Sequence, residues 1–204
     1  MSVEWWSIRN QSLALAAREA GFDLNVYNDY SENVREELEA KAIKHLMRNL
    51  ADDFENETGR KLSEIKEGVY VICISTPFTI KYGEFCSNII YIGRGNIGTR
   101  LKSHFERSLF RFMTSLLGSN FDFYLTDPGK RPSEAYFKHL EFDLLENFRE
   151  KIGDGSYPLL NKNAGSDQGL TTREPGWNKP LKSSGKKPIW ALEKTQFWDI
   201  SKLG

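Results

Sequence analysis

The chain has no charge excess of either sign: 28 lysines and arginines stand against 28 aspartates and glutamates in 204 residues. That balance argues against a protein that coats nucleic acid by bulk electrostatics, which needs many more cations than anions. Cysteine and histidine are scarce. Cys73 and Cys86 are too far apart for a CxxC pair, and three scattered histidines offer no zinc-ligand spacing, so reduced structural thiols are expected and a zinc site is not. No run of about 18 apolar residues occurs, which excludes a helical membrane span. The start, Met1-Ser-Val-Glu-Trp-Trp6, has no basic stretch leading into an apolar one, so no signal peptide is expected and the expected location is cytoplasmic. There is no internal repeat.

What charge there is, is unevenly spread. Residues 1–67 carry 9 basic and 14 acidic side chains, residues 68–164 carry 12 and 10, and residues 165–204 carry 7 and 4. Between positions 94 and 111, Arg94, Arg100, Lys102, Arg107 and Arg111 are opposed only by Glu106, a local cationic surface whose bland reading is a solvated helix face.

Three segments follow from pattern. Residues 1–66 read as helices: an alanine-rich one from Ser7 to Ala20, closed by Gly21, and a longer one from Ser31 through Asp53 with Val34, Leu38, Ile43, Leu46, Met47 and Leu50 as its stripe. This acidic segment suits a homodimer interface or a protein partner better than a grip on DNA. Residues 67–164 read as β-β-α-β-α. The strands are Gly68–Ile74, Ile89–Ile92 and Phe121–Thr126, and the helices run from Thr99 to about Leu117 and from Glu134 to about Lys151. Ser75 to Ser87 lacks a helical pattern, so the first two strands are expected to form an antiparallel hairpin. Residues 165–204 are rich in Gly, Pro, Lys, Ser and Trp and read as an irregular tail, tethered by Trp177, Trp190, Phe197 and Trp198. The fold class is α+β.

Tyr91-Ile-Gly93-Arg-Gly95-Asn-Ile-Gly98-Thr-Arg100-Leu-Lys-Ser-His104 admits two readings. As Gly93-x-Gly95-x-x-Gly98 between strand and helix it fits a dinucleotide-binding loop, with Asp122 near the place of a ribose-binding acid. That reading needs a parallel neighbouring strand, which the hairpin denies, and too few residues follow for a doubly wound sheet plus a substrate domain. A lone motif of this kind is weak.

The second reading rests on more positions. Gly68-Val-Tyr70 lies in one strand and Tyr91-Ile-Gly93 ends the next. Arg100 and His104 follow one turn apart, Leu140-Glu141-Phe-Asp-Leu144-Leu145 lies in the last helix, and Pro158-Leu-Leu-Asn161 comes after it. In these elements, over about residues 68–164, the chain resembles the GIY-YIG nuclease superfamily. The resemblance implies a small three-stranded antiparallel sheet flanked by helices and a metal-dependent DNA endonuclease. Arg100 would stand one residue closer to the second triplet than is usual, and Asn163 is an alternative to Asn161.

One check does not depend on the resemblance. At about 100° per residue, Phe137, Leu144, Leu145 and Phe148 lie within about 60° of Glu141 on the last helix, while Glu146 points away. A carboxylate amid an apolar face needs a metal ion, a cation or a wet cleft. Glu134 is the rival ligand on that face, and pairing of Glu141 with Lys138 or Arg149 is the bland alternative.

The resemblance assigns roles. Glu141 would hold one Mg²⁺ or Mn²⁺, and Arg100 would grip the scissile phosphate. Tyr70 or Tyr91 would orient or deprotonate the attacking water, with His104 relaying the proton. Gly93 would admit backbone to the phosphate, Arg94, Lys102 and Arg107 would bind substrate, and Asn161 would fix the geometry. A catalytically inactive DNA-binding or protein-interaction module of the same fold is the alternative.

Overall fold

The computed structural model describes residues 2–117, 119–129, 135–162, 173–182, 188 and 190–195. Its architecture is α+β, with a four-stranded and a three-stranded sheet. The elements are β1 (Trp6–Ser12), α1 (Leu13–Glu19), α2 (Glu32–Thr58), β2 (Gly68–Ile74), β3 (Phe78–Tyr82), β4 (Phe85–Ser87), β5 (Ile89–Gly95), α3 (Ile97–His104), α4 (Phe110–Thr114), β6 (Asn120–Thr126), α5 (Tyr136–Lys151) and β7 (Trp190–Leu192). A single π-turn, Phe105–Leu109, joins α3 to α4. Among the described residues no helix is long and apolar enough to cross a membrane.

The main sheet runs β1-β6-β2-β5, antiparallel throughout. Every residue of β2 is buried, so its Val-Tyr-Val-Ile-Cys-Ile run does not alternate, as befits an inner strand covered on both faces. The hairpin expectation is met: β2 and β5 pair antiparallel, with Tyr70 opposite Gly93 and Ile72 opposite Tyr91. Helix α5 packs on β5 and β2, and α2 lies against β1 and α3. Both cysteines are free and buried.

Three expectations need correction. The sheet has four strands rather than three, because Trp6–Ser12, read as helix from Ser7, is strand β1 paired with β6. Its side chains and those of α1 and α2 belong to the same hydrophobic core as the rest of the chain. The stretch read as loop, Ser75 to Ser87, contains the β3–β4 hairpin, and tail strand β7 joins β3 in parallel to complete the second sheet. Glu134, Asn163, Phe197 and Trp198 lie outside the described residues. The helix read from Ser31 through Asp53 is α2, with Ser31 at its N-cap, but it runs on to Thr58 and is closed by Gly59 at φ 67°; the one read from Thr99 to about Leu117 spans Ile97–Thr114 through the π-turn.

Candidate active site

Register brings the site together. Residues directly opposite in an antiparallel pair share a face, so Tyr70 and Gly93, then Ile72 and Tyr91, point the same way. Tyr70 therefore lies diagonal to Tyr91, with Gly93 between them. A Cβ on Gly93 would come within 2.6 Å of the Tyr70 hydroxyl and of Tyr91 Cε1. The missing side chain is what lets the two rings stack, at a centroid distance of 6.0 Å.

The strand then turns directly into α3. Gly95, at φ 115°, makes the turn, and the Asn96 side chain accepts a hydrogen bond from Thr99 N to cap the helix. This places His104 over both tyrosines. Its Nε2 is 2.7 Å from the Tyr70 hydroxyl, and its ring centroid is 4.3 Å from that of Tyr91. Arg100, one turn earlier on the same face, sets its charge close to both tyrosine hydroxyls.

Burial sets the proton affinities. Tyr70 is held well above the ordinary phenol range by loss of solvent and then by Tyr91, with Arg100 opposing in part. Tyr91 is raised by burial and by the Glu141 charge. His104 is pushed down to about 4 by burial, then by the Arg100 and Arg107 charges, so its imidazole is neutral at physiological pH. Buried phenols with raised pKa values are protonated donors in the absence of substrate. Neutral His104 has a lone pair to receive a proton.

From the far side, α5 delivers Glu141, whose side chain is 14 % exposed among buried Phe137, Leu144, Leu145 and Phe148. Its partner is neither Lys138 nor Arg149: Arg94 Nε lies 2.9 Å from Glu141 Oε2. Arg149 pairs with Glu146 instead. The charge of Glu141 reaches both Tyr70 and Tyr91. Compared with protein-family models, curated proteins and solved structures, the chain matches none.

The remaining site residues divide by position. Asn161 sits on the outer edge of β5, where its Nδ2 donates to Ile92 O at 2.8 Å and its Oδ1 accepts from Ile92 N at 2.9 Å. Lys102 is exposed and engaged with Glu106, while Arg107 is exposed but near enough to depress His104. Asp122 accepts from Asn10 N and Ser75 Oγ, a structural duty that leaves no ribose-binding role, and β5 has an antiparallel neighbour where a dinucleotide loop requires a parallel one. Sequence reasoning missed the pairing of Arg94 with Glu141. Neither pattern nor period signals that pairing, since the two positions lie far apart in the chain.

Among the described residues, no three or more His, Cys, Asp or Glu side chains gather in a way that could hold a metal ion. The local donor set is one carboxylate and two phenol oxygens. Hard oxygen donors of this number suit an ion that keeps most of its own water, as Mg²⁺ does.

Proposed function

We propose that this protein is a metal-dependent DNA endonuclease that hydrolyses a phosphodiester bond at the Tyr70–Tyr91–Arg100–His104–Glu141 cluster. The observation that carries the reading is convergence: β2, the contiguous β5 and α3, and the distant α5 supply the groups that phosphodiester hydrolysis calls for. The resemblance to the GIY-YIG superfamily in the same five positions supports it. Glu141 is the residue that would hold Mg²⁺ or Mn²⁺; when bound, the ion supplies charge to the phosphate oxygens and acidity to a coordinated water.

The chain's own residues do the rest. The Arg100 guanidinium, beside the two tyrosine hydroxyls, presents its N–H groups to a non-bridging phosphate oxygen. Tyr70 takes a proton from the attacking water as it passes its own to His104 Nε2, so the phenol stays neutral overall. An arriving phosphate offsets the Arg100 and Arg107 field that depresses His104, which raises its basicity when it is needed. Tyr91 stacks on Tyr70 and limits water access.

Supercoiled plasmid tests this directly. The protein should nick or linearise it in Mg²⁺ and leave it intact in EDTA. Glu141→Ala should lose at least about a hundredfold in rate while still binding DNA. Full cleavage by that variant would sink the assignment. One observation favours a second reading, a DNA-binding module of the same fold without cleavage: Glu141 is already engaged by Arg94. DNA binding by the wild type with no cleavage in either Mg²⁺ or Mn²⁺ would select it.

A further inference from the structure

Arg94 occupies the carboxylate that the proposed chemistry needs. Its Nε is 2.9 Å from Glu141 Oε2, and the two side chains are 25 % and 14 % exposed, so the pair is screened far less than a surface salt bridge. Arg94 follows Gly93, at the end of a strand whose preceding residues hold Tyr91 against His104, so the guanidinium is anchored beside the cluster. Arg100 plays a different part: its charge lies beside the tyrosine hydroxyls, while the ion pair to Glu141 is made by Arg94.

We propose that Arg94 is the exchangeable counter-ion of Glu141: its guanidinium and a divalent cation compete for one carboxylate, so a metal binds only as Arg94 lets go. This rests on the nuclease reading of the site, and it adds a positioning residue to it. A monovalent guanidinium and a divalent ion cannot both be drawn to the same oxygen without repelling each other, since two cations within a few ångströms in a partly buried site interact unfavourably. The pair keeps Glu141 compensated when no metal is present, which spares the apolar face of α5 an isolated charge. It also ties metal affinity to substrate. A phosphate arriving with the metal gives the displaced guanidinium a new anion, and by linkage whatever strengthens one ligand's binding strengthens the other's.

The competition is measurable without turnover. Mn²⁺ is titrated calorimetrically into the wild type, Arg94→Gln, Arg94→Lys and Glu141→Gln, with no DNA present. Removing the arginine charge in Arg94→Gln should tighten Mn²⁺ binding about tenfold. Arg94→Lys, which keeps a competing cation, should stay near the wild type, and Glu141→Gln should abolish the binding event. Glutamine can still donate a hydrogen bond to Glu141; if it does not fold, Arg94→Met carries the same expectation. Mn²⁺ binding to Arg94→Gln no tighter than to the wild type, or absent from every form, overturns the competition. Mg²⁺-dependent plasmid cleavage by the wild type, lost in Glu141→Ala, tells whether the nuclease reading survives that result.

Discussion

His104 is neutral because its surroundings reject a second proton, and that has a price in acid. Its folded pKa is depressed to about 4, below the ordinary value of 6.5, so between those two pH values the unfolded chain takes up a proton that the folded one refuses. Stability from this residue is present above about pH 6.5 and is lost as pH falls through the folded value, by roughly 3 kcal/mol in all. Urea unfolding of the wild type and His104→Gln at pH 7 and pH 4.5 checks this: the variant should lose less stability over that interval. Equal losses would mean that His104 titrates normally. At Gly93 the prediction is steric. Alanine there puts a methyl 2.6 Å from the Tyr70 hydroxyl and 2.7 Å from Tyr70 Cζ, so the ring must move. Gly93→Ala should destabilise the fold by about 1–3 kcal/mol, and a shift in tyrosine ultraviolet absorption should report the displaced ring. Unchanged spectra and stability would show that the stack relaxes freely.

Between elements, the outer edge of β5 is held by side chain and loop rather than by a further strand. Asn161 makes both backbone bonds that a neighbouring residue in a ladder would make to Ile92, and Leu160 N donates to Ile90 O at 2.9 Å. The Tyr82 hydroxyl donates to Ile89 O and accepts from Leu159 N, joining the same loop to the same strand from within. Asn161→Ala strips one donor and one acceptor from Ile92 and should cost about 1–3 kcal/mol by urea unfolding, with cleavage falling because Tyr91 is no longer fixed. Much of this region was legible in sequence. The β2–β5 hairpin follows from β-branched runs at hairpin spacing, and the placement of Glu141 on an apolar face follows from helical period. The first strand was not legible, since Trp6 to Ser12 mixes polar residues without clear alternation and leads straight into an alanine-rich helix. Pairing with β6 decides its conformation, across an irregularity between Ile8 and Gln11 where Asn10 takes φ 60°. The Arg94–Glu141 contact was illegible for a related reason: it joins side chains 47 positions apart, and neither pattern nor period reports on that distance.

Across the whole molecule, the described part of the tail, residues 173–182 and 190–195, belongs to the folded body. Arg173 meets buried Asp143 on α5 through two hydrogen bonds, at 3.0 and 3.3 Å, and lies over the Trp177 ring. Trp5 Nε1 donates to Gly176 O, Val3 N to Pro175 O and Ser87 Oγ to Lys182 O, so residues 173–182 are fastened to the N-terminal residues and to the second sheet. Arg173→Ala leaves the Asp143 charge buried against α5 and should lower stability by about 1–3 kcal/mol, the half-exposed arginine keeping the loss below that of a fully buried pair. Ending the chain after Lys162 should cost more than that single change, and thermal melts of the two forms beside the wild type test the order. A truncated form as stable as the wild type would show that the clamp is dispensable. The loop that fastens Ile90 and Ile92 has a further effect on how copies of this protein meet. A strand such as β5, at the margin of a sheet, is the natural place for a stranger's backbone to dock, yet here the outward-facing amide and carbonyl of Ile92 are already taken. Crowding the protein to high concentration therefore meets β5 with its Ile90 and Ile92 positions already occupied, so a neighbour's strand cannot extend the sheet there.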